Sequence, residues 1–151
     1  MNNCFICQRI DDIKNNKNPY FIKELKTGYV VLCDFQLFEG YTIFLGKTHV
    51  KELHDLENET RDLLLHEMAV VAEAVCNAFK PVKLNYELLG NTDNHVHWHL
   101  IPRYGIDPDP KMPIWTLGKE VLAAETARPT KEKLEKLKIS LAKELEKLTC
   151  C

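Results

Sequence analysis

Hydrophobic and polar positions divide the chain into five short segments with strand character and two long segments with helical spacing. The short segments are rich in β-branched and aromatic residues, as strands are, and cover residues 20–25, 29–34, 41–45, 84–89 and 95–103. Apolar side chains recur at helical intervals over residues 59–79 and 130–148. The order of these elements predicts an α+β fold with a mostly antiparallel five-stranded sheet and two main helices. A short turn and a helical segment are predicted before them, over residues 4–10.

The last predicted strand contains three histidines that alternate with apolar residues. Strand geometry places His95, His97 and His99 on one face and Val96, Trp98 and Leu100 on the other. A rise of about 3.3 Å per residue separates neighbouring imidazoles by roughly 6.5–7 Å. Two of them would share one metal ion only with distortion. We therefore expect two adjacent tasks, one imidazole binding a metal and the next performing chemistry.

The composition is that of one ordinary globular domain of 151 residues, with 45% hydrophobic and 28% charged residues. A formal net charge of −2 favours neither nucleic acid nor an anionic membrane as the main partner. No apolar run reaches the length of a membrane span, and the first residues lack the pattern of a signal peptide. We therefore expect a cytoplasmic protein with reduced thiols.

Two cysteines near the start of the chain are candidate metal ligands. Zinc prefers four Cys or His ligands, and Cys4 and Cys7 form a Cys-x-x-Cys pair. His49 and His95, at the ends of predicted strands, are the natural partners. The spacing is far longer than in a zinc finger, so a metal here would fasten the N-terminus to the edge of a preformed sheet. The alternative is a pair of small buried thiols.

The central histidine is a candidate nucleophile. A neutral imidazole can attack phosphorus and form an N–P bond that water or another acceptor later breaks. His97 has the rigid position that such a group needs. His99 would contact phosphate oxygens, and Asn91 and Thr92 would donate further hydrogen bonds from the preceding turn. The alternative is a polar stripe of histidines that faces solvent.

The run from His95 to Arg103 resembles the signature of the histidine triad (HIT) family, in which three histidines alternate with apolar residues. Cys4 and Cys7, Asp34 and the corner at residues 46–50 occur in the expected order, so the resemblance covers roughly residues 4–104. Residues 85–91 and the Asp-Pro segment before Trp115 resemble a zinc-containing bacterial branch of HIT hydrolases.

The resemblance implies a homodimer, with one sheet continuous across both subunits, that binds purine nucleotides. A nucleotidyl group would form a covalent intermediate on His97, with His99 and Thr92 assisting. Asp34 would bind the ribose hydroxyls, Asn91 the phosphate, and three apolar residues that are equally ordinary core candidates would form the base pocket: Phe5, Leu32 and Phe35. Structural zinc would be bound by Cys4, Cys7, His49 and His95. The whole chain, 1–151, would be one HIT domain with an N-terminal zinc segment (1–15), a core (20–104) and a C-terminal loop and helix (105–151).

Two features depart from the family pattern. Many members have Gly-Gln followed by Ser or Thr before the triad, whereas this chain has Gly90, Asn91 and Thr92. The turn before the triad also contains Asp93 and Asn94, where an apolar residue is usual. Both changes affect the expected leaving group more than the chemistry of His97.

The resemblance to the HIT family implies an enzyme that acts on the α-phosphate of purine nucleoside phosphoramidates or dinucleoside polyphosphates, by hydrolysis or by nucleotidyl transfer. A nucleotide-binding sensor or scaffold with low turnover is the alternative. A purely structural zinc protein is a third, weaker hypothesis.

Overall fold

Five strands form one antiparallel sheet in the computed structural model, which describes residues 4–149. In chain order the strands are β1 (Phe21–Glu24), β2 (Gly28–Leu32), β3 (Thr42–Gly46), β4 (Lys83–Glu87) and β5 (His97–Arg103). Their order across the sheet is β1-β2-β3-β5-β4. The predicted α+β fold and antiparallel sheet are confirmed. The predicted domain ends, residues 1–3 and 150–151, lie outside the described residues.

The fifth strand begins two residues later than the sequence predicts. His95 lies in a tight turn, where its backbone N–H donates to the carbonyl of Asp93 at 2.7 Å. The backbone of Val96, just before the first residue of β5, is nevertheless fixed, because its N–H donates to Val50 and its carbonyl accepts from Gly46. The turn therefore places His95 beside the corner that follows β3, away from the row formed by the other two histidines.

The helices are α1 (Phe5–Lys14), α2 (Asn58–Phe79), α3 (Lys119–Leu122) and α4 (Lys131–Thr149). The two long helices begin and end within one residue of their predicted limits. Helix α2 ends at Phe79. The next residue, Lys80, has a left-handed backbone (φ 52°) and is followed by Pro81, and both features stop the helix. None of the helices over residues 4–149 has both the length and the apolar character needed to cross a membrane.

The sheet has one face covered by α2 and α4 and another that carries the histidines. Val30, Phe44 and Leu100 are fully buried against the long helices, and Val96 and Trp98 pack on the same side, as predicted. The opposite face packs against α1 through one apolar cluster and against Phe38, Tyr41 and Ile114 through another.

A buried arginine organises the loop that follows β5. Arg103 pairs with Asp107 at 3.1 Å, and its guanidinium donates to Asn85 and to the carbonyl of Met112. These contacts fold the Asp- and Pro-rich segment back onto the sheet. Ile114, at the start of a short 3-10 helix (Ile114–Thr116), is thereby buried and Trp115 is placed beside the histidines.

Candidate active site

His97 and His99 face the same side of β5 and are closer than the backbone spacing predicts. Their Nε2 atoms lie 3.1 Å apart and their ring centroids 4.8 Å apart. The expected separation of roughly 6.5–7 Å follows from the strand rise alone. The rings lean toward each other because a hydrogen bond joins their Nε2 atoms, which brings the two imidazoles into direct contact.

The hydrogen-bond partners assign a proton to each ring nitrogen of the pair. The carbonyl oxygen of His95 can only accept, so Nδ1 of His97, 2.6 Å away, must donate to it. That leaves a lone pair on Nε2 of His97. His99 then donates its Nε2–H to this lone pair, and its Nδ1 accepts from the hydroxyl of Tyr41 at 2.7 Å. The arrangement leaves Nε2 of His97 unprotonated at the wall of a cavity.

Burial keeps the supporting groups uncharged. Desolvation, with a smaller contribution from the neighbouring His97, lowers the pKa of His99 to about 4. Desolvation also raises the pKa of the Tyr41 phenol well above its ordinary value, and the nearby Cys33 and Glu87 act in the same direction. Near neutral pH, His99 is therefore a neutral imidazole and Tyr41 a neutral hydroxyl.

The histidine pair opens into a cavity of about 590 Å³, which is within the usual range for small-molecule sites. The turn before β5 forms one wall with Asn91, Thr92 and Asp93, and Phe35 contributes to an apolar wall. A further wall comes from the C-terminal segment, residues 114–123. The indole N–H of Trp115 donates to Glu87, and its ring meets that of His99 edge to face, with centroids 5.6 Å apart.

The structure brings five of the predicted catalytic and nucleotide-binding residues together around this cavity: His97, His99, Asn91, Thr92 and Phe35. The prediction for Leu32 is wrong. Its side chain is fully buried on the helical side of the sheet, because successive side chains of a strand face opposite sides and Leu32 faces the core. Cys33, one residue later, lines the cavity instead.

Phe5 and Asp34 lie outside the cavity wall. Phe5 is 50% exposed on α1, with the Arg9 guanidinium 5.5 Å from its ring centroid. Asp34 pairs with Arg9 at 2.7 Å, and 29% of its side chain is exposed. Its two neighbours in the chain, Cys33 and Phe35, do line the cavity.

Sequence reasoning missed Tyr41 and the contacts of Trp115 with the triad. Tyr41 precedes β3, in which Ile43 pairs with His99, so the pairing register would have been needed to place it. No local pattern relates Trp115 to His99, because their contact depends on how the loop after β5 folds back onto the sheet.

Four potential metal ligands converge beside the triad. The donor atoms of Cys4, Cys7, His49 and His95 all lie within 4.8 Å of one another. Nδ1 of His95 is 3.6 Å from the Cys4 sulfur and 3.5 Å from the Cys7 sulfur, and Nδ1 of His49 is 3.2 Å from Cys7. Metal–ligand lengths of zinc imply donor separations of about 3.3–3.8 Å at a tetrahedral site, so these contacts fit such an ion.

The tautomer of His95 also suits its role as a candidate metal ligand. Its Nε2–H donates to the carbonyl of Gly46 at 2.7 Å, which leaves the Nδ1 lone pair directed at the thiols. Burial and the adjacent Cys4 raise the pKa of the Cys7 thiol to about 11. A divalent cation reverses that effect, because it stabilises the thiolates that burial and mutual repulsion disfavour.

The model of the HIT domain matches residues 15–106. The protein hit of Bacillus subtilis (strain 168) is 30% identical over 109 residues, which are 68% of this chain and 72% of that protein. A histidine triad protein from Marinobacter aquaeolei VT8 is 28% identical, with a TM-score of 0.73 over 86% of this chain and 92% of that one. A histidine triad protein from Bradyrhizobium japonicum shares the fold, with a TM-score of 0.74 at 20% identity over 83% of this chain and 89% of that one.

These matches support nucleotide binding or hydrolysis in broad terms. They agree with a triad in which one imidazole presents a lone pair to a cavity of nucleotide size. The chain belongs to the HIT family.

Proposed function

We propose that the protein acts on the α-phosphate of purine nucleoside phosphoramidates or dinucleoside polyphosphates through a covalent nucleotidyl group on His97. The proposal depends chiefly on one contact, the 2.6 Å hydrogen bond from Nδ1 of His97 to the backbone of His95. This bond holds the Nδ1–H tautomer and leaves the Nε2 lone pair as the nucleophile, without any further base.

In the first step, Nε2 of His97 attacks the α-phosphorus. The N–P bond forms as the bond from phosphorus to the leaving group breaks, and the leaving group departs with the electron pair and takes a proton from water. Attack releases the His97 lone pair from its hydrogen bond with the Nε2–H of His99, and this N–H then donates to the charge that develops on the phosphate or on the departing atom. In the second step, water gives its hydroxyl to phosphorus and its remaining proton to solvent, and the N–P bond returns its electron pair to His97. An acceptor other than water would give nucleotidyl transfer instead.

The other polar groups of the cavity are assigned to binding. Asn91 and Thr92 line the wall beside the triad and would contact the phosphate or the leaving group. Phe35 offers an apolar surface for the base. One oxygen of Asp34 pairs with Arg9, and we assign the other to the ribose hydroxyls at the rim.

We also propose that Cys4, Cys7, His49 and His95 bind zinc in a structural role. Two thiolates and two imidazoles are ligands that zinc prefers, and the ion would fasten α1 to the start of β5. A site of this kind needs reduced thiols, which agrees with a cytoplasmic location.

A homodimer with a continuous sheet is proposed from the position of β4. This strand lies at one edge of the sheet, and its Tyr86 is 48% exposed. An edge strand has unpaired backbone groups that a second copy can bond. Light scattering coupled to gel filtration measures the mass in solution, and a monomer at working concentration would contradict this part of the proposal.

The test is to trap the intermediate. The protein is mixed with adenosine 5′-phosphoramidate, quenched rapidly and analysed by mass spectrometry for an acid-labile adenylyl group on the peptide that contains His97. We expect the adduct in the wild type and none in His97→Asn, with turnover reduced by about 1000-fold or more and nucleotide binding retained.

The matched control is His54→Asn, because His54 is an exposed histidine away from the cavity. Full turnover by His97→Asn, or an adduct on another residue, would exclude this nucleophile. Nucleotide binding by the wild type with neither adduct nor turnover would favour the sensor or scaffold function.

A further inference from the structure

We propose that Tyr41 is a positioning residue whose hydroxyl fixes the tautomer of His99, so that the Nε2–H of His99 faces His97 and the reacting phosphate. The inference rests on the proposed function, since it assigns a task to a residue that supports the nucleophile. It starts from the 2.7 Å hydrogen bond between the Tyr41 hydroxyl and Nδ1 of His99.

A neutral imidazole carries its proton on either nitrogen, so a neutral His99 needs a partner that selects one. When the Tyr41 hydroxyl donates to Nδ1, the proton of His99 lies on Nε2, which is also the tautomer that can donate to the lone pair of His97. The opposite tautomer would direct the Nε2 lone pair of His99 at the Nε2 lone pair of His97, only 3.1 Å away. The two lone pairs would repel each other, and the phosphate would lose a donor.

Tyr41 is held rigidly enough for this task. Its residue exposure is 7%. Its backbone N–H donates to Phe38 at 3.0 Å, and its carbonyl accepts from the backbone of Cys33 at 2.8 Å and from the side chain of Gln36 at 3.0 Å. Three hydrogen bonds therefore fix the backbone from which the hydroxyl reaches His99.

The far side of His99 is closed as well. The Trp115 ring lies edge to face with the imidazole, and Trp115 is held in turn by Glu87. Glu87 is also the cross-strand partner of His99. These contacts restrict rotation of the imidazole, so that Tyr41 decides which nitrogen carries the proton while Trp115 and β4 hold the ring in position.

Tyr41→Phe removes the hydroxyl and keeps the ring, which makes it the test substitution. We expect kcat for adenosine 5′-phosphoramidate to fall on the order of 10- to 100-fold, the effect of losing a buried hydrogen bond in the transition state. KM should change little, because the phenyl ring that remains still lines the cavity and the hydroxyl is engaged with His99. The control is Tyr104→Phe, which removes a hydroxyl that donates to the carbonyl of Glu39 at 2.8 Å, outside the cavity.

The tautomer is measured directly by nitrogen-15 NMR of labelled histidine, without substrate. We expect the Nε2–H form of His99 in the wild type and a shift toward the Nδ1–H form in Tyr41→Phe, with Tyr104→Phe unchanged. The Nδ1–H form in the wild type would overturn the inference even if Tyr41→Phe did not fold.

The two proposals fail in different ways. An adenylyl-His97 adduct that forms equally fast in wild type and Tyr41→Phe would overturn the role of Tyr41 and leave the proposed function intact. Absence of any adduct in the wild type would overturn the proposed function, while the NMR spectra would still decide the tautomer.

Discussion

The backbone carbonyl of His95 accepts a hydrogen bond from Nδ1 of His97 at 2.6 Å, while the side chain of His95 points Nδ1 at Cys4 and Cys7. One residue thus joins the candidate metal cluster to the candidate nucleophile. The turn that removes His95 from the strand makes this possible, because it directs the imidazole of His95 toward α1 and its carbonyl toward His97.

Cys4→Ser should remove the metal and lower stability while the folded protein remains competent to form the nucleotidyl adduct. A ligand that binds only the folded state at 100 times its Kd contributes about 2.7 kcal/mol to the free energy of unfolding, and at least this much should be lost. Metal content by plasma mass spectrometry and urea denaturation measure the two effects. Cys76→Ser is the control, since Cys76 lies on α2 outside the cluster. A folded, metal-free variant that forms no adduct would assign the metal more than a structural role.

Stability should fall as the pH is lowered from 6.5 to 4, and His99 should contribute to the fall. Its pKa is lowered from 6.5 to about 4 in the folded protein, so the unfolded chain binds more protons within this window. The free energy of unfolding therefore rises with pH there, by at most about 1.4 kcal/mol per pH unit from one group.

His99→Gln should show a shallower pH dependence than wild type in urea denaturation between pH 4 and 7. The two proteins differ in no other titratable group, so the difference in slope isolates His99. His54→Gln, which changes an exposed histidine, should keep the wild-type slope. Equal slopes for His99→Gln and the wild type would contradict the shifted pKa.

Arg103→Lys should destabilise the protein by roughly 1–3 kcal/mol, because buried groups that pair with the guanidinium lose their hydrogen-bond donors. A lysine cannot also donate to Asn85 and to the carbonyl of Met112 with the geometry of a guanidinium. Urea denaturation measures the loss. Arg61→Lys, which affects an exposed pair with Asp62, should cost less than about 1 kcal/mol. Similar losses in the free energy of unfolding for the two variants would contradict the role of Arg103 in organising its loop.

Gly40→Ala should destabilise the protein by about 1–3 kcal/mol. Gly40 has a φ of +85°, and an added Cβ would overlap the ring of Phe79. Gly105→Ala is the matched control because an added Cβ there meets no atom within 4 Å. The two denaturation midpoints are compared, and an unchanged midpoint for Gly40→Ala would show that the turn before Tyr41 tolerates a side chain.

The sequence by itself determined the α+β class, the long helices and the shared strand face of His97 and His99, but not the turn that removes His95 from it. These features depend on local periodicity, which reports whether a segment buries one face of a helix or of a strand. The clustering of Cys4, Cys7, His49 and His95 was also predicted, because ligand types and the resemblance to the HIT family limited the choices.

Only the tertiary structure decided which side of the sheet each neighbouring residue faces and which distant groups meet. Leu32 entered the core and Cys33 the cavity because the helices cover one face of the sheet and neighbouring residues of the strand face opposite sides. Tyr41 reached His99 from 58 positions away in the chain, through pairing of β3 with β5. Trp115 reached the same histidine through the loop that Arg103 organises. Such contacts join segments that no local pattern relates, so only the packed sheet could place them.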